Sequence, residues 1–124
     1  MKKLLVCILF VFLGTNVSAQ DYNKGLEAAQ AGDYTIALKE WKPLAEQGHA
    51  NAQKNLGVMY EFGNGVLQDN LTAHMWYNIA SANGIEGAGQ WRDDVAALMT
   101  ADAIEKATAM ARECMASDYK KCGY

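Results

Sequence analysis

The sequence predicts an all-α fold, a short right-handed α/α solenoid of about three helical hairpins. Three observations carry that expectation. Apolar residues recur every three or four positions from Tyr22 to Met115, and no segment alternates with the period of two that marks a half-buried strand. One stretch also repeats: at a constant displacement, Asp33, Ala37, Trp41, Leu44 and Gly48 fall on Asp69, Ala73, Tyr77, Ala80 and Gly84. Each hairpin of such an array buries its apolar stripe by stacking on the next.

The chain of 124 residues opens on Lys2 and Lys3, runs through an apolar stretch from Leu4 to Gly14 and reaches small residues at Val17 and Ala19. That is the pattern of a secretory signal over residues 1–19, cleaved after Ala19. The apolar run falls well short of the ~20 residues of a bilayer span. Cys7 lies inside it, so no lipid-anchored cysteine is expected. Residues 20–124 are enough for one small domain with no membrane span. Acidic residues outnumber basic ones by 14 to 11, and Lys2 and Lys3 leave with the leader. No basic cluster stands out, which argues against nucleic acid as a partner.

The first helix is expected from Tyr22 to Ala31, ended by Gly32 and followed by Asp33 as an N-cap. A second runs from Tyr34 to about Gln47, with Ala37, Leu38, Trp41, Leu44 and Ala45 inward and Gly48 closing it. Pro43 removes the hydrogen bond to the Lys39 carbonyl, so a bend is expected there. The central hairpin spans Ala50 to Gly84. Ala52, Leu56, Met59 and Tyr60 face inward on its first helix and Ala73, Trp76, Tyr77 and Ala80 on its second. Gly63, Asn64 and Gly65 turn the chain, and Asp69 caps the second helix. A fifth helix is marked by Ala88, Trp91, Val95, Leu98 and Met99. Thr100 caps a sixth, with Ile104, Ala107, Ala111, Cys114 and Met115 inward.

The central hairpin carries a family resemblance. Leu56, Gly57, Met59, Tyr60, Gly63, Gly65, Val66 and Asp69, followed by Ala73, Trp76, Tyr77, Ala80 and Gly84, resemble the Sel1-like repeat, a relative of the tetratricopeptide repeat. One complete repeat covers about residues 49–84, with partial repeats on both sides. The first hairpin departs from the pattern, since it lacks the Gly-x-Gly-Val loop. The resemblance implies a non-catalytic adaptor of the bacterial periplasm, or a secreted one, that offers a concave helical face to a protein or peptide of the cell envelope. Two other readings stay open: an enzyme acting on the cell wall or on β-lactams, as associated with some cysteine-rich relatives, and a small subunit docking on a larger solenoid.

The residues give no catalytic centre. Gly63-Asn64-Gly65 lacks the Gly-Lys-Ser/Thr and preceding strand of a phosphate loop. His49 and His74 lie far apart in sequence without ligands at metal spacing, so an exposed loop histidine and a helix-face histidine are expected, with no metal and no cofactor. Ser81 and Ser117 sit in no nucleophile elbow. Asp93 and Asp94 are adjacent, so a helix turns them about 100° apart. Trp41, Trp76, Tyr60 and Tyr77 fall on the buried stripes. Cys114 and Cys122 are the two cysteines left after cleavage, and export favours a disulfide over two free thiols. Eight residues of continuous helix would hold their Cα atoms about 12 Å apart, so the helix must end between them and the tail must fold back. The Cys-x7-Cys spacing is also similar to that of cysteine-rich Sel1-like proteins.

The resemblance to tetratricopeptide solenoids puts the first helix of each hairpin on the concave face. The partner-binding candidates are therefore the residues there that point away from the core: Asn51, Lys54, Val58, Glu61 and Phe62, extended by Gln90 and Asp94. Val58 and Phe62, one turn apart, form an apolar anchor site on a polar wall. In the competing arrangement Phe62 packs under the Gly63 to Val66 loop and Val58 is an ordinary exposed residue.

Overall fold

The computed structural model describes residues 21–123, so the expected leader and its cleavage site lie outside the described residues. Six helices follow in order: α1 (Tyr22–Gln30), α2 (Tyr34–Ala45), α3 (Ala50–Phe62), α4 (Asn70–Ala82), α5 (Ala88–Ala96) and α6 (Ala101–Ala116). No strand occurs among the described residues. The fold is an all-α helical repeat.

Side-chain caps fix where the helices begin. Asp21 accepts from the amides of Asn23 and Lys24, Asp33 from Ile36, Asp69 from Leu71 and Thr100 from Ala103. Each satisfies N–H groups that the first turn of a helix leaves open. His49 Nδ1 does the same for α3, accepting from the Ala52 amide at 3.1 Å while its ring stacks on Tyr22. The expected loop histidine is therefore a capping residue. Asp69 also accepts from the Thr72 hydroxyl, in a position matching Asp33 one repeat earlier.

The turns follow the glycine positions. α2 stops at Ala45, two residues before its expected end, because Gly48 takes φ 90° and the His49 amide returns to the Leu44 carbonyl. Gly65 has φ 72°, and a Cβ there would lie 2.8 Å from Tyr34 Cβ. The long loop of the central hairpin thus rests on the start of α2, and glycine is required on both counts.

Helices pack in chain order, α1 on α2, α2 on α3, α3 on α4, and α5 and α6 both on α4. The core gathers Ala37, Trp41, Ala45, Ala52, Leu56, Met59, Met75, Trp76 and Ile79, all buried, with Ala111 and Cys114 brought in by α6. A smaller cluster of Ala73, Tyr77 and Val95 joins α4 to α5. Two glycines let aromatic rings approach a helix backbone. A Cβ on Gly25 would sit 2.3 Å from Trp41 Nε1, and one on Gly57 would sit 2.5 Å from Tyr77 Cδ1. Trp41 and Tyr77 are the pair related by the sequence repeat, so the first two hairpins close on the same ring-against-glycine contact despite their different loops.

The third pair is open, and here the inward assignments need correction. α5 buries Ala88 and Val95, which are spent against α4, and it scarcely touches α6. Trp91 is 38% exposed and Leu98 is 76% exposed. Leu98 falls outside the helix, in the turn where its amide meets the Val95 carbonyl. Tyr60, Ile104 and Met115 are half-buried rather than fully inward. His74, expected on a helix face, is buried. The outer side of α6, with Asp102, Glu105, Lys106, Arg112 and Glu113 exposed, is polar, as suits the last helix of a stacked array.

The tail folds back as the cysteine spacing requires. Ser117 ends α6, Asp118 and Tyr119 take φ 54° and 62°, and Cys114 is bonded to Cys122 with Cα atoms 4.3 Å apart. Tyr119 then reaches the α2–α3 corner, its hydroxyl accepting from Asn83 Nδ2 at 3.0 Å. Asn83 Nδ2 also lies 2.8 Å from Gln53 Oε1, and Gln53 Nε2 donates to the Ala45 carbonyl. The disulfide-closed turn is thereby tied to α2, α3 and α4.

Candidate functional site

Because α1, α3 and α5 each lean on a second helix, they leave clefts between themselves. The cleft between α3 and α5 has a volume of about 320 Å³ and is lined by Lys54, Asn55, Val58, Glu61, Phe62, Tyr77 and Trp91. Its apolar wall is built from both sides. Phe62, at the last position of α3, is 66% exposed. It therefore does not pack under the Gly63 to Val66 loop. Val58 is half-buried against the Ala73, Tyr77 and Val95 cluster, and Trp91 faces Tyr77 with ring centroids 5.9 Å apart.

The floor is held by a polar contact. The Tyr77 hydroxyl donates to the Glu61 carboxylate across the α3–α4 packing. Burial, then the bond to Glu61 and that residue's charge, push the Tyr77 hydroxyl far above its ordinary range. It stays a donor at any physiological pH. Asn55, 9% exposed, donates from Nδ2 to the Tyr22 hydroxyl at 3.1 Å and fixes the base of the groove toward α1.

Of the seven residues expected on this face, Lys54, Val58, Glu61 and Phe62 come together in the cleft. Asn51, Gln90 and Asp94 are exposed beyond it, and Gln90 Nε2 donates to Asp94 Oδ1 at 2.8 Å along α5. Sequence periodicity missed Trp91 and Asn55 as lining residues, and it did not show that the buried Tyr77 ring floors the cleft. A signal for Trp91 was present in its neighbours Gln90, Arg92, Asp93 and Asp94, which make that part of α5 a solvated surface.

The other candidate groups stay apart or are engaged in structure. Asp93 lies 3.0 Å from Arg92 NH2, and Arg92 NH1 donates to Asn78 at 2.9 Å. His74 Nδ1 is buried without a hydrogen-bond partner among the described residues, and burial, then the nearby Arg92 charge, lower its pKa against a smaller opposing effect of Asp93. Ser117 accepts from the Lys121 amide and donates to the Cys114 carbonyl. Among the described residues no three His, Cys, Asp or Glu side chains converge as a metal site would need. No helix of the described residues is long and apolar enough to cross a membrane.

Residues 50–85, the α3–α4 hairpin with its loop and closing glycine, match the family model of the Sel1 repeat. The α3–α4 hairpin is a Sel1 repeat. Sel1 repeats generally mediate protein–protein interaction and are typically non-catalytic. An uncharacterized protein of Neisseria meningitidis serogroup B is 48% identical over 48 residues, 39% of this chain and 10% of that protein. DAP3-binding cell death enhancer 1 of rat and of mouse is 36% identical over 67 residues, 54% of this chain and 11% of each relative. The chain thus spans about a tenth of the length of the curated relatives it matches. No solved structure matches. The signature residues of the Sel1 repeat shape the groove itself: Gly57 admits the Tyr77 ring that floors it, and Leu56, Met59 and Trp76 hold α3 in place from behind.

Proposed function

We propose that the chain is a non-catalytic protein-binding module that receives a peptide or protein on the face formed by α1, α3 and α5. The observation that carries this reading is the pairing of exposed Phe62 with half-exposed Trp91 across a formed cleft, in a fold that buries Trp41, Trp76 and Tyr77. Large aromatic groups at the rim of a concave site, with Lys54 and Glu61 beside them, are what an interface anchor requires. The repeat family adds to the reading, since its members generally bind proteins.

The module is further read as exported, periplasmic or secreted, with a partner in the cell envelope. The support is the leader pattern of Lys2, Lys3 and the apolar run to Gly14. The buried Cys114–Cys122 bond adds weight, because such bonds persist in oxidising compartments. The test is capture from an envelope extract by the wild-type protein and by a Phe62→Ala, Lys54→Glu variant. Capture falls in the variant while its melting temperature stays near wild type; equal capture removes this face from the reading.

A further inference from the structure

The following rests on the concave-face reading and concerns how that face is regulated. One wall of the groove is held by a single neighbour. Among the described residues α5 packs on α4 and scarcely on any other helix, it starts at Gly87 without a side-chain cap, and it buries only Ala88 and Val95. A short helix with open first-turn amides and one neighbour is the element that detaches at least cost.

The seam between α4 and α5 has a readable register. A Cβ on Gly89 would lie 3.2 Å from Ser81 Oγ, and Asn78 accepts from Arg92 NH1 at 2.9 Å. Each step back along α4 is a like step forward along α5, so the next one pairs His74 with Ala96, a turn beyond Arg92. His74 is 3% exposed, and its Nδ1 meets no hydrogen-bond partner among the described residues. We propose that His74 is an acid-operated release: its protonation frees α5 from α4, carries Trp91 out of the groove and lowers the affinity of the face for its partner.

The charges around the ring act in that direction. α4 itself carries no charged side chain, its Tyr77 hydroxyl is spent on Glu61 of α3, and its cap Asp69 is exposed and bound to the Leu71 amide and the Thr72 hydroxyl. Burial, and then Arg92 of α5, hold the imidazole neutral against a smaller effect of Asp93. The Asp93 carboxylate is exposed and bound by Arg92 itself, and Asp94 is exposed and accepts from Gln90. On α6, Asp102, Glu105, Lys106, Arg112 and Glu113 all lie exposed on the outer side. A proton on His74 brings a second N–H donor and a positive charge beside Arg92, with no buried carboxylate to receive them. In the detached state the ring takes its proton near the ordinary 6.5, and in the packed seam only at lower pH. The packing of α5 is thus full above about pH 6.5 and is lost as pH falls toward the packed value. Trp91 leaves with the helix, since its ring faces Tyr77 from the α5 side of the cleft, and Phe62 then has no opposing wall. α6 stays, because it packs on α4 by itself.

The experiment follows amide hydrogen exchange of the folded chain, helix by helix, at about pH 7.5 and 5.5, in wild type and His74→Leu. Alongside it, a photoreactive residue at position 62 is crosslinked in envelope extract at both pH values. One proton taken up near 6.5 changes an equilibrium by at most about tenfold over that range. Protection across α5 should fall about threefold to tenfold in wild type while α4 and α6 keep theirs, and the adduct should fall with it. His74→Leu should keep both. Exchange at the start of α3, which His49 caps, reads the other histidine separately. The His74 ring is also titrated by nuclear magnetic resonance in wild type, a readout that needs no variant to fold, and its midpoint should lie below 6.5. Unchanged α5 protection in acid, an equal fall in His74→Leu, a ring midpoint at or above 6.5, or an adduct that persists while α5 opens overturns the proposal and leaves the concave-face reading standing. No adduct from position 62 at either pH overturns both.

Discussion

Gly57→Ala sets two effects of opposite sign against each other. Replacing a mid-helix glycine by alanine favours the helix by ~1 kcal/mol. Against that, the new Cβ would lie 2.5 Å from Tyr77 Cδ1 and 2.6 Å from Cε1. The Tyr77 ring cannot simply withdraw, because it is 1% exposed, packs on Val95 and is anchored through its hydroxyl to Glu61. Overpacking of this kind costs ~1–3 kcal/mol, and displacing the ring also strains a hydrogen bond to a charged acceptor worth ~1.5–3 kcal/mol. The clash wins, with a net loss of about 2 kcal/mol. In a domain of this size that lowers the melting temperature by about 8–16 °C, at 4–8 °C per kcal/mol. Thermal unfolding by far-ultraviolet circular dichroism reads it directly. Adding Tyr77→Leu should recover part of the loss, because the two changes share one contact. A Gly57→Ala protein that melts at or above wild type would refute the argument that this glycine exists for the ring.

Other outcomes are expected from the same geometry. Gly65→Val combines a φ of 72° with a contact on Tyr34 and should cost about 1–3 kcal/mol in urea unfolding; a wild-type midpoint would contradict the turn assignment. Trp76→Ala, at a fully buried position, should cost about 3–5 kcal/mol, and a smaller loss would move Trp76 out of the core. Burial and Arg92 lower the His74 pKa below its ordinary 6.5, so the unfolded chain binds the proton more readily. Its contribution to stability is full above about pH 6.5 and is lost as pH falls toward the folded value. His74→Leu should flatten the melting-temperature profile between neutral and mildly acidic pH, and an unchanged slope would assign the acid sensitivity elsewhere. Folded, unreduced protein should show no thiol from Cys114 or Cys122, and reduction should remove roughly 2–3 kcal/mol; two free thiols would contradict the bond.

Much of the fold was legible because local signals agreed with one another. Asp33, Asp69 and Thr100 announced helix starts by chemistry that acts within three residues, and the glycines announced the turns. The fold-back of the tail followed from the reach of a disulfide across eight residues. What stayed hidden depended on contacts distant in sequence. Nothing local says that α5 and α6 both lean on α4 and part from each other, or that Trp91 and Leu98 of the apolar period stay exposed while α5 spends its burial on Ala88 and Val95. His49 looked like a loop residue because histidine seldom caps a helix, and its place was settled by stacking on Tyr22 from another hairpin. At the groove, the outward residues of α3 could be read from helical period, but the cleft exists because α1 and α5 stand on either side of it, and Asn55 joins it through a bond to Tyr22, far back in the chain.

The central claim, that the face of α1, α3 and α5 is where a partner sits, is most directly tested by site-specific photo-crosslinking in cells that express the full chain. A photoreactive residue placed at the exposed position of Phe62 is compared with one at Glu105, exposed on the outer side of α6. The account predicts a discrete protein adduct from position 62, lost when Lys54→Glu is added, and none from position 105. Adducts from position 105 with none from position 62 would contradict it.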